Sequence, residues 1–241
     1  IVITMAGGST RFFSAGYKKP KYALEIAGKS VFEHVMLSFE NYFTTEEFLF
    51  VVRKDDAFYN SIYPLLEGIG IQQYQVFELE KLTGGQAETA YLALKDYDND
   101  FPITIFNIDT IRRNYIKPAF INDCHGYLEV FIGEGSNWSF VEPGENNQVV
   151  RTTEKDPISN LCSSGLYYFK SQKQFCAIFE DVLVNKETTK GEYYIAPLYN
   201  SLVKKGLDIK YEIVPVSEIL FCGTPEEYLM LKESMERRCV D

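Results

Sequence analysis

The sequence has 241 residues, an apolar fraction of 46% and a formal net charge of −10 at pH 7. This length and composition predict a folded chain with a large buried core and exclude intrinsic disorder. The acidic balance argues against nucleic acid as a partner, because nucleic-acid-binding proteins carry a basic surface. No apolar run approaches the ~18 residues of a membrane span. We therefore expect no membrane partner and a cytoplasmic location.

Strands and helices alternate over the first half of the chain. Residues 1–5 predict a buried strand, and Ser30 with Glu33 forms a capping-box pattern in front of an apolar helical face. The other predicted elements of this half are strands at 48–52, 74–79 and 103–106 and helices near 58–66 and 87–94. This order predicts an α/β fold with a doubly wound, mainly parallel, Rossmann-like sheet.

Past residue 115 the pattern changes to short segments joined by turns rich in Gly, Asn and Pro. The predicted strands are 127–132, 138–141, 149–153, 165–169 and 209–214, and the predicted helices are 174–183, 195–203 and one that opens at Pro225. We expect these strands to form a small antiparallel region. Linker-like and repeated segments are missing from the sequence, which predicts one domain over 1–241 with two halves that meet near residue 115.

Two groups of polar residues follow predicted strands, at the end of the sheet where open parallel sheets bind ligands. The loop after the first strand combines Gly7 and Gly8 with Arg11, and Lys21 follows in a Lys-Lys-Pro-Lys run. Glycines let backbone N–H groups approach a phosphate, and the cations supply its countercharge. Asp109 follows the strand at 103–106 and is a candidate ligand for Mg²⁺ on phosphate oxygens. Each feature alone is typical of a turn or a solvated surface, but their convergence predicts a phosphate site.

Other chemistries find no support in the sequence. The loop at Gly7 lacks both the Walker pattern and the dinucleotide fingerprint. His34 and His125, the two histidines, do not stand beside a plausible nucleophile, and the five cysteines contain no Cys-x-x-Cys pair. We expect the thiols to be buried in a reducing compartment.

A series of motifs spread over almost the whole chain resembles the sugar-phosphate nucleotidylyltransferases. The motifs are Ala6-Gly7-Gly8-Ser9-Thr10-Arg11-Phe12, Gly16-Tyr17, Pro20-Lys21, Gly28-Lys29, Glu33-His34-Val35, Gly85-Gln86-Ala87, Asn107-Ile108-Asp109, Glu154-Lys155, Ser164-Gly165-Leu166-Tyr167-Tyr168-Phe169 and Gly223-Thr224-Pro225-Glu226-Glu227. The resemblance is strongest to a bacterial branch found with capsule and surface-polysaccharide genes, and phosphocholine cytidylyltransferases are related to it. It implies a GT-A-like fold and transfer of a nucleotide from an NTP to a phosphorylated acceptor, with release of pyrophosphate.

The resemblance also implies which residues act. The nucleotide would be bound by Ala6, Gly7, Gly8, Ser9, Thr10, Arg11, Gly85, Gln86 and Asn107. The acceptor would be bound by Glu154, Lys155, Gly165, Glu192 and Tyr193. Catalysis would fall to Arg11, Lys21, Asp109 and Lys155, with Asp109 as the Mg²⁺ ligand. The half at about 1–115 would then bind the nucleotide, and the half at about 116–241, with its antiparallel region, would bind the acceptor.

Two positions depart from the family pattern. Ser9 stands where many relatives have Gly, and Phe221 stands where many have a second metal carboxylate. Either Asp109 and phosphate oxygens are enough to bind the Mg²⁺ ion, or another acid such as Glu218 takes the place of the missing carboxylate.

The substrates and two rival classes stay open. The cytidylyltransferase relatives favour CTP, while the acceptor is a sugar 1-phosphate or a non-sugar phosphate such as phosphoglutamine. A GT-A glycosyltransferase that uses a nucleotide-sugar is disfavoured because Asn107-Ile108-Asp109 lacks the usual Asp-x-Asp motif. A non-catalytic nucleotide-binding subunit is the other alternative, and the oligomeric state cannot be read from the sequence.

Overall fold

The computed structural model of the protein describes residues 1–54 and 62–238. The chain divides into two compact units, each assembled from separate stretches of sequence. The N-terminal unit comprises the described residues of 3–82, 107–116 and 217–241, and the middle unit comprises 1–2, 83–106 and 117–216. The single domain with halves that meet near residue 115 stays a prediction.

Strands and helices largely alternate up to β6 and a run of strands follows, as the sequence predicts for the two halves. In the described residues the strands are β1 (Val2–Thr4), β2 (Glu25–Ile26), β3 (Lys29–Ser30), β4 (Glu47–Arg53), β5 (Gln73–Leu79), β6 (Ile103–Asn107), β7 (Thr110–Arg112), β8 (Gly126–Ile132), β9 (Ser139–Pro143), β10 (Val149–Glu154), β11 (Leu161–Phe169), β12 (Ile209–Ile213) and β13 (Ile219–Phe221). The helices are α1 (Thr10–Ser14), α2 (Val31–Leu37), α3 (Ile62–Ile69), α4 (Gln86–Leu94), α5 (Gln172–Asn185), α6 (Tyr199–Lys204) and α7 (Pro225–Arg238). The predicted α/β class is confirmed, and the predicted beginning of the third helix near Phe58 lies outside the described residues.

The N-terminal unit is built on the neighbouring strands β1, β4 and β5. β4 and β5 are parallel, in register from Glu47 opposite Gln73 to Arg53 opposite Leu79. Residues 48–52 of β4 are all buried, because a parallel strand is covered on both faces. Helix α2 begins with the predicted capping box, and its Phe32 ring lies 5.8 Å from that of Phe50 on β4.

The middle unit contains the predicted antiparallel region. Its strands run in the order β10, β9, β11, β6, with β8 also paired to β11 and β12 parallel to β8. A bulge interrupts the pairing of β11 with β8 between Ser163 and Tyr167. The single proton of the Tyr199 hydroxyl is shared between the carbonyls of Tyr168 and Tyr127, at 2.8 and 3.0 Å, and the ring stacks on Phe169 at 4.4 Å. These contacts hold helix α6, which begins at Tyr199, against the sheet of the middle unit.

Four of the five cysteines lie in the described part of the chain, and all four are buried free thiols as predicted: Cys124, Cys162, Cys176 and Cys222. Burial raises the pKa of Cys124, Cys162 and Cys176 to about 11, so these thiols are protonated and unreactive at neutral pH. Cys239 lies outside the described residues. None of the helices in the described residues is long and apolar enough to cross a bilayer.

Candidate active site

The loop that follows β1 is tied to Lys21 through Ser9. Ser9 has a left-handed backbone (φ 48°, ψ 27°), a conformation that favours glycine. Its carbonyl accepts the N–H groups of Phe12 and Phe13 at 3.0 and 3.1 Å, and its hydroxyl oxygen accepts the N–H of Lys21 at 3.2 Å. The serine therefore offsets its backbone strain with a hydrogen bond that a glycine cannot make.

Backbone donors and a second arginine lie along this loop. Within the described part of the chain, no protein acceptor takes the N–H groups of Gly7, Gly8 or Thr10. A methyl group on Gly8 would lie 3.9 Å from Nη1 of Arg53, the last residue of β4. Arg11 is exposed on α1. Sequence reasoning missed Arg53, although its place at the carboxyl end of a buried strand was a usable signal.

Lys21 and Asp109 meet although they are 88 positions apart. The Lys21 ammonium donates to Oδ2 of Asp109 at 2.6 Å, and the two side chains are 20% and 21% exposed. Lys21 opens a short 3₁₀ helix at Lys21–Ala23, and Asp109 occupies the turn between β6 and β7. The structure therefore brings together two of the predicted catalytic residues at a position that solvent still reaches.

The C-terminal segment packs directly against Asp109. β13 pairs antiparallel with β7, and the N–H of Cys222 donates to the Asp109 carbonyl at 3.0 Å. A Cβ on Gly223 would lie 3.0 Å from Oδ2 of Asp109, so only glycine leaves that carboxylate undisturbed. The Glu227 carboxylate accepts the N–H groups of Gly223 and Thr224 at 2.9 and 3.0 Å. The Gly-Thr-Pro-Glu-Glu motif thus caps α7 beside Asp109.

The acids near Asp109 have other partners. Glu218 forms a 2.5 Å ion pair with Nη1 of the buried Arg112, and Glu227 is engaged in the α7 cap. Phe221 lies on β13 opposite Thr110. The described residues contain no group of three or more His, Cys, Asp or Glu side chains suited to a metal ion. Glu218 and Glu227 are therefore both engaged by protein partners, as Asp109 itself is by Lys21.

Asn107 precedes Asp109 by two residues and carries an unusual buried acceptor. Its amide Nδ2 donates to Oγ1 of Thr110 at 3.1 Å. Its Oδ1 is buried and has no hydrogen-bond donor among the described residues. Buried acceptors are normally paired in folded proteins, so this oxygen has capacity for a ligand donor.

In the middle unit, the loop before α4 and the start of that helix are hydrogen-bonded to the backbone of Tyr193. The Tyr193 N–H donates to the Gly84 carbonyl at 2.9 Å, and the Ala87 N–H donates to the Tyr193 carbonyl at 3.1 Å. A Cβ on Gly85 would lie 2.3 Å from the Tyr193 carbonyl oxygen, which excludes any other residue there. Gly85 and Tyr193, predicted to bind nucleotide and acceptor, are therefore packed together, and Gln86 lies between Gly85 and the bonded Ala87.

Glu154 is the last residue of β10 in the same unit, and Lys155 follows it. Glu154 is 8% exposed, and burial raises its pKa while the Ser139 hydroxyl, which donates to its carboxylate, lowers it. Lys155 has a left-handed backbone (φ 55°), and its ammonium contacts the Tyr194 hydroxyl and lies 4.5 Å from the centre of that ring. Tyr194 was missed by sequence reasoning, because it is 39 positions from Lys155.

The remaining predicted acceptor residues are only partly brought together. Glu192 and Tyr193 line a cavity of about 220 Å³ together with Tyr194 and Lys204. Gly165 lies in the bulge of β11 with φ 92°, where its N–H donates to the hydroxyl of Ser163 on its own strand. Its place at an acceptor site stays a prediction.

The N-terminal unit therefore holds a strand-end loop, a lysine and an aspartate together. No family model matches the sequence. The structure of a nucleoside-diphosphate-sugar pyrophosphorylase from Vibrio cholerae RC9 superposes with a TM-score of 0.92 at 42% identity, covering 97% of this chain and 100% of that one. The chain therefore belongs to the sugar nucleotidyltransferase family, and the predicted enzyme class is confirmed.

Two further comparisons are more distant. The bifunctional protein GlmU of Methanococcus maripaludis strain C7 is 27% identical over 212 residues, which cover 85% of this chain and 47% of GlmU. The chain thus spans about half the length of the curated relatives it matches. The CTP:phosphocholine cytidylyltransferase of Streptococcus pneumoniae has the same fold, with a TM-score of 0.73, 18% identity and 97% coverage of each chain.

Proposed function

We propose that the protein transfers the nucleoside monophosphate of an NTP to a phosphorylated small-molecule acceptor and releases pyrophosphate. The observation that carries this proposal is the 2.6 Å contact of the Lys21 ammonium with Asp109, beside the loop at 6–11. A cation held by a strand-end carboxylate, next to backbone donors, suits charge that develops on phosphoryl oxygens.

In the proposed reaction an acceptor phosphate oxygen attacks the α-phosphorus, and the bond to the β-phosphate breaks with pyrophosphate as the leaving group. The loop N–H groups and Arg11 bind the phosphates that leave. Lys21 neutralises charge on the α-phosphate and on the attacking phosphate. Because two anions must approach each other, holding and neutralising them supplies most of the rate enhancement.

We propose Mg²⁺ as the cofactor and Asp109 as its protein ligand. The donor set fits, since Mg²⁺ is commonly bound by one or two carboxylates together with substrate phosphates and water. When bound, the ion would neutralise phosphate charge. Glu218 has no part in this proposal because it pairs with Arg112.

The acceptor is proposed to bind the middle unit at Glu154 and Lys155, with Lys155 as a point charge for the acceptor phosphate. Gly85 and Gln86 bind the nucleotide base. CTP is the proposed donor, supported by the resemblance to cytidylyltransferases. The product is an activated precursor for capsule or surface polysaccharide, made in the cytoplasm from a sugar 1-phosphate or a non-sugar phosphate such as phosphoglutamine.

The test is a pyrophosphate-release assay with each of the four NTPs. Acceptors are sugar 1-phosphates, phosphocholine and phosphorylated amino-acid compounds. CTP-dependent release with one acceptor class supports the proposal. A preference for UTP or dTTP with a hexose 1-phosphate would overturn the cytidylyl assignment alone. Release of a nucleoside diphosphate from a nucleotide-sugar would favour the glycosyltransferase, and binding without turnover would favour the non-catalytic subunit.

A further inference from the structure

The carboxylate of Glu154 is held by a hydrogen-bonded chain that crosses three strands. Ser139, the first residue of β9, lies directly opposite Glu154 in the β10 register. Its hydroxyl donates to Oε2 of Glu154, and the hydroxyl of Tyr167 on β11 lies 3.3 Å from the same serine oxygen. All three side chains are buried, at 8%, 8% and 5% exposure.

The direction of this chain follows from the count of hydrogens. A serine hydroxyl has one proton to donate and lone pairs to accept. Since that proton goes to Glu154, the serine oxygen can only accept from Tyr167, whose hydroxyl also has Ser163 as a hydrogen-bond partner. The order of donation is therefore Tyr167 to Ser139 to Glu154, and one oxygen of the carboxylate is fixed in orientation.

The charges that act on this carboxylate come from the next residue, Lys155, and from the segment that holds Lys190 and Glu192. Lys155 and Lys190 favour its ionised form, whereas Glu192 and burial oppose it. With burial as the largest effect, the pKa of Glu154 is raised. The hydrogen bond from Ser139 works in the opposite direction, because it stabilises the carboxylate and not the acid.

We propose that Ser139, oriented by Tyr167, is a positioning residue that sets the geometry of Glu154 for acceptors carrying a hydroxyl or ammonium hydrogen-bond donor. This rests on the proposed function, in which Glu154 binds the acceptor. Because Ser139 holds Oε2 of Glu154, the acceptor donor is recognised by the other oxygen of that carboxylate. Acceptor selectivity is then determined partly by two uncharged side chains, Ser139 on β9 and Tyr167 on β11.

The test compares Ser139→Ala with the wild-type chain and with Ser159→Ala. Ser159 also donates its hydroxyl within this part of the unit, to the Val141 carbonyl at 2.6 Å, and lies outside the proposed site. In Ser139→Ala we expect the KM for the acceptor to rise roughly tenfold, the scale of a lost hydrogen bond to a charged group. The KM for the NTP and the kcat should change less than about twofold.

The pH profile separates positioning from a general loss of structure. Removing the Ser139 donor raises the pKa of Glu154 further, so the acid limb of kcat/KM for the acceptor moves to higher pH. Ser139→Thr, which keeps a hydroxyl, should recover part of the acceptor affinity. Tyr167→Phe should also raise the KM for the acceptor and move the acid limb to higher pH, but by less than Ser139→Ala does. It tests the hydrogen-bonded chain if Ser139→Ala does not fold.

An unchanged acceptor KM and pH profile in folded Ser139→Ala would overturn the inference, as would an equal rise in KM for the NTP and the acceptor. These outcomes leave wild-type pyrophosphate release intact. Failure of the proposed function would instead appear in the wild-type chain, as no release with any NTP and acceptor.

Discussion

Replacing Lys21 by alanine removes the ammonium that contacts Asp109 at 2.6 Å and leaves the backbone hydrogen bond from Lys21 to Ser9 in place. Both side chains of the pair are about one-fifth exposed, so solvent screens their attraction and the folded state loses only about 1 kcal/mol. A loss of that size lowers the Tm by about 2–4 °C for a chain of this length.

The loss of activity should be much larger than the loss of stability. Removing one preorganised charge partner of a developing phosphate charge costs roughly 10²–10³ in turnover, or about 2.7–4 kcal/mol. Since Lys21 acts on charge that grows during the reaction, kcat and kcat/KM for the NTP should fall together while KM changes little. Steady-state pyrophosphate release at saturating acceptor measures both constants.

Lys18→Ala is the matched control, because Lys18 is an exposed lysine of the same Lys-Lys-Pro-Lys run. It removes the same charge from the same segment and should leave both rate constants within about twofold of wild type. Near-normal turnover in folded Lys21→Ala, or an equal loss in Lys18→Ala, would refute the assignment of Lys21 to the reaction centre.

Three further predictions concern Asp109, Ser9 and Arg53, which also lie in the N-terminal unit. Asp109→Asn should abolish pyrophosphate release, and EDTA should abolish it in the wild type with recovery on added Mg²⁺; activity that survives EDTA contradicts the metal role. Ser9→Ala keeps the left-handed strain and loses the hydrogen bond from Lys21, so chemical denaturation should show about 1 kcal/mol less stability, whereas Ser9→Gly removes both and should be nearly neutral. Arg53→Ala should raise the KM for the NTP about tenfold, as loss of one charged contact to phosphate predicts; titration with NTP checks this, and an unchanged KM removes Arg53 from the site.

Local features of the sequence determined much of the N-terminal unit. The Ser30–Glu33 capping box is formed, because both partners lie within one helical turn. The strand at β4 follows from a continuous apolar run that parallel pairing buries on both faces. The placement of Gly7, Lys21 and Asp109 after strands predicted a phosphate site, since a βαβ order puts strand ends on one edge of the sheet.

Only the tertiary structure decided which of those residues meet. The 2.5 Å ion pair of Glu218 with Arg112, which is 106 positions away, is one such contact that the sequence did not predict. Strand pairing determined two further contacts. The pairing of β13 with β7 brings Gly223 to Asp109, and the pairing of β9 with β10 places Ser139 opposite Glu154. Such contacts depend on register between distant segments, and no local pattern of residue types encodes that register.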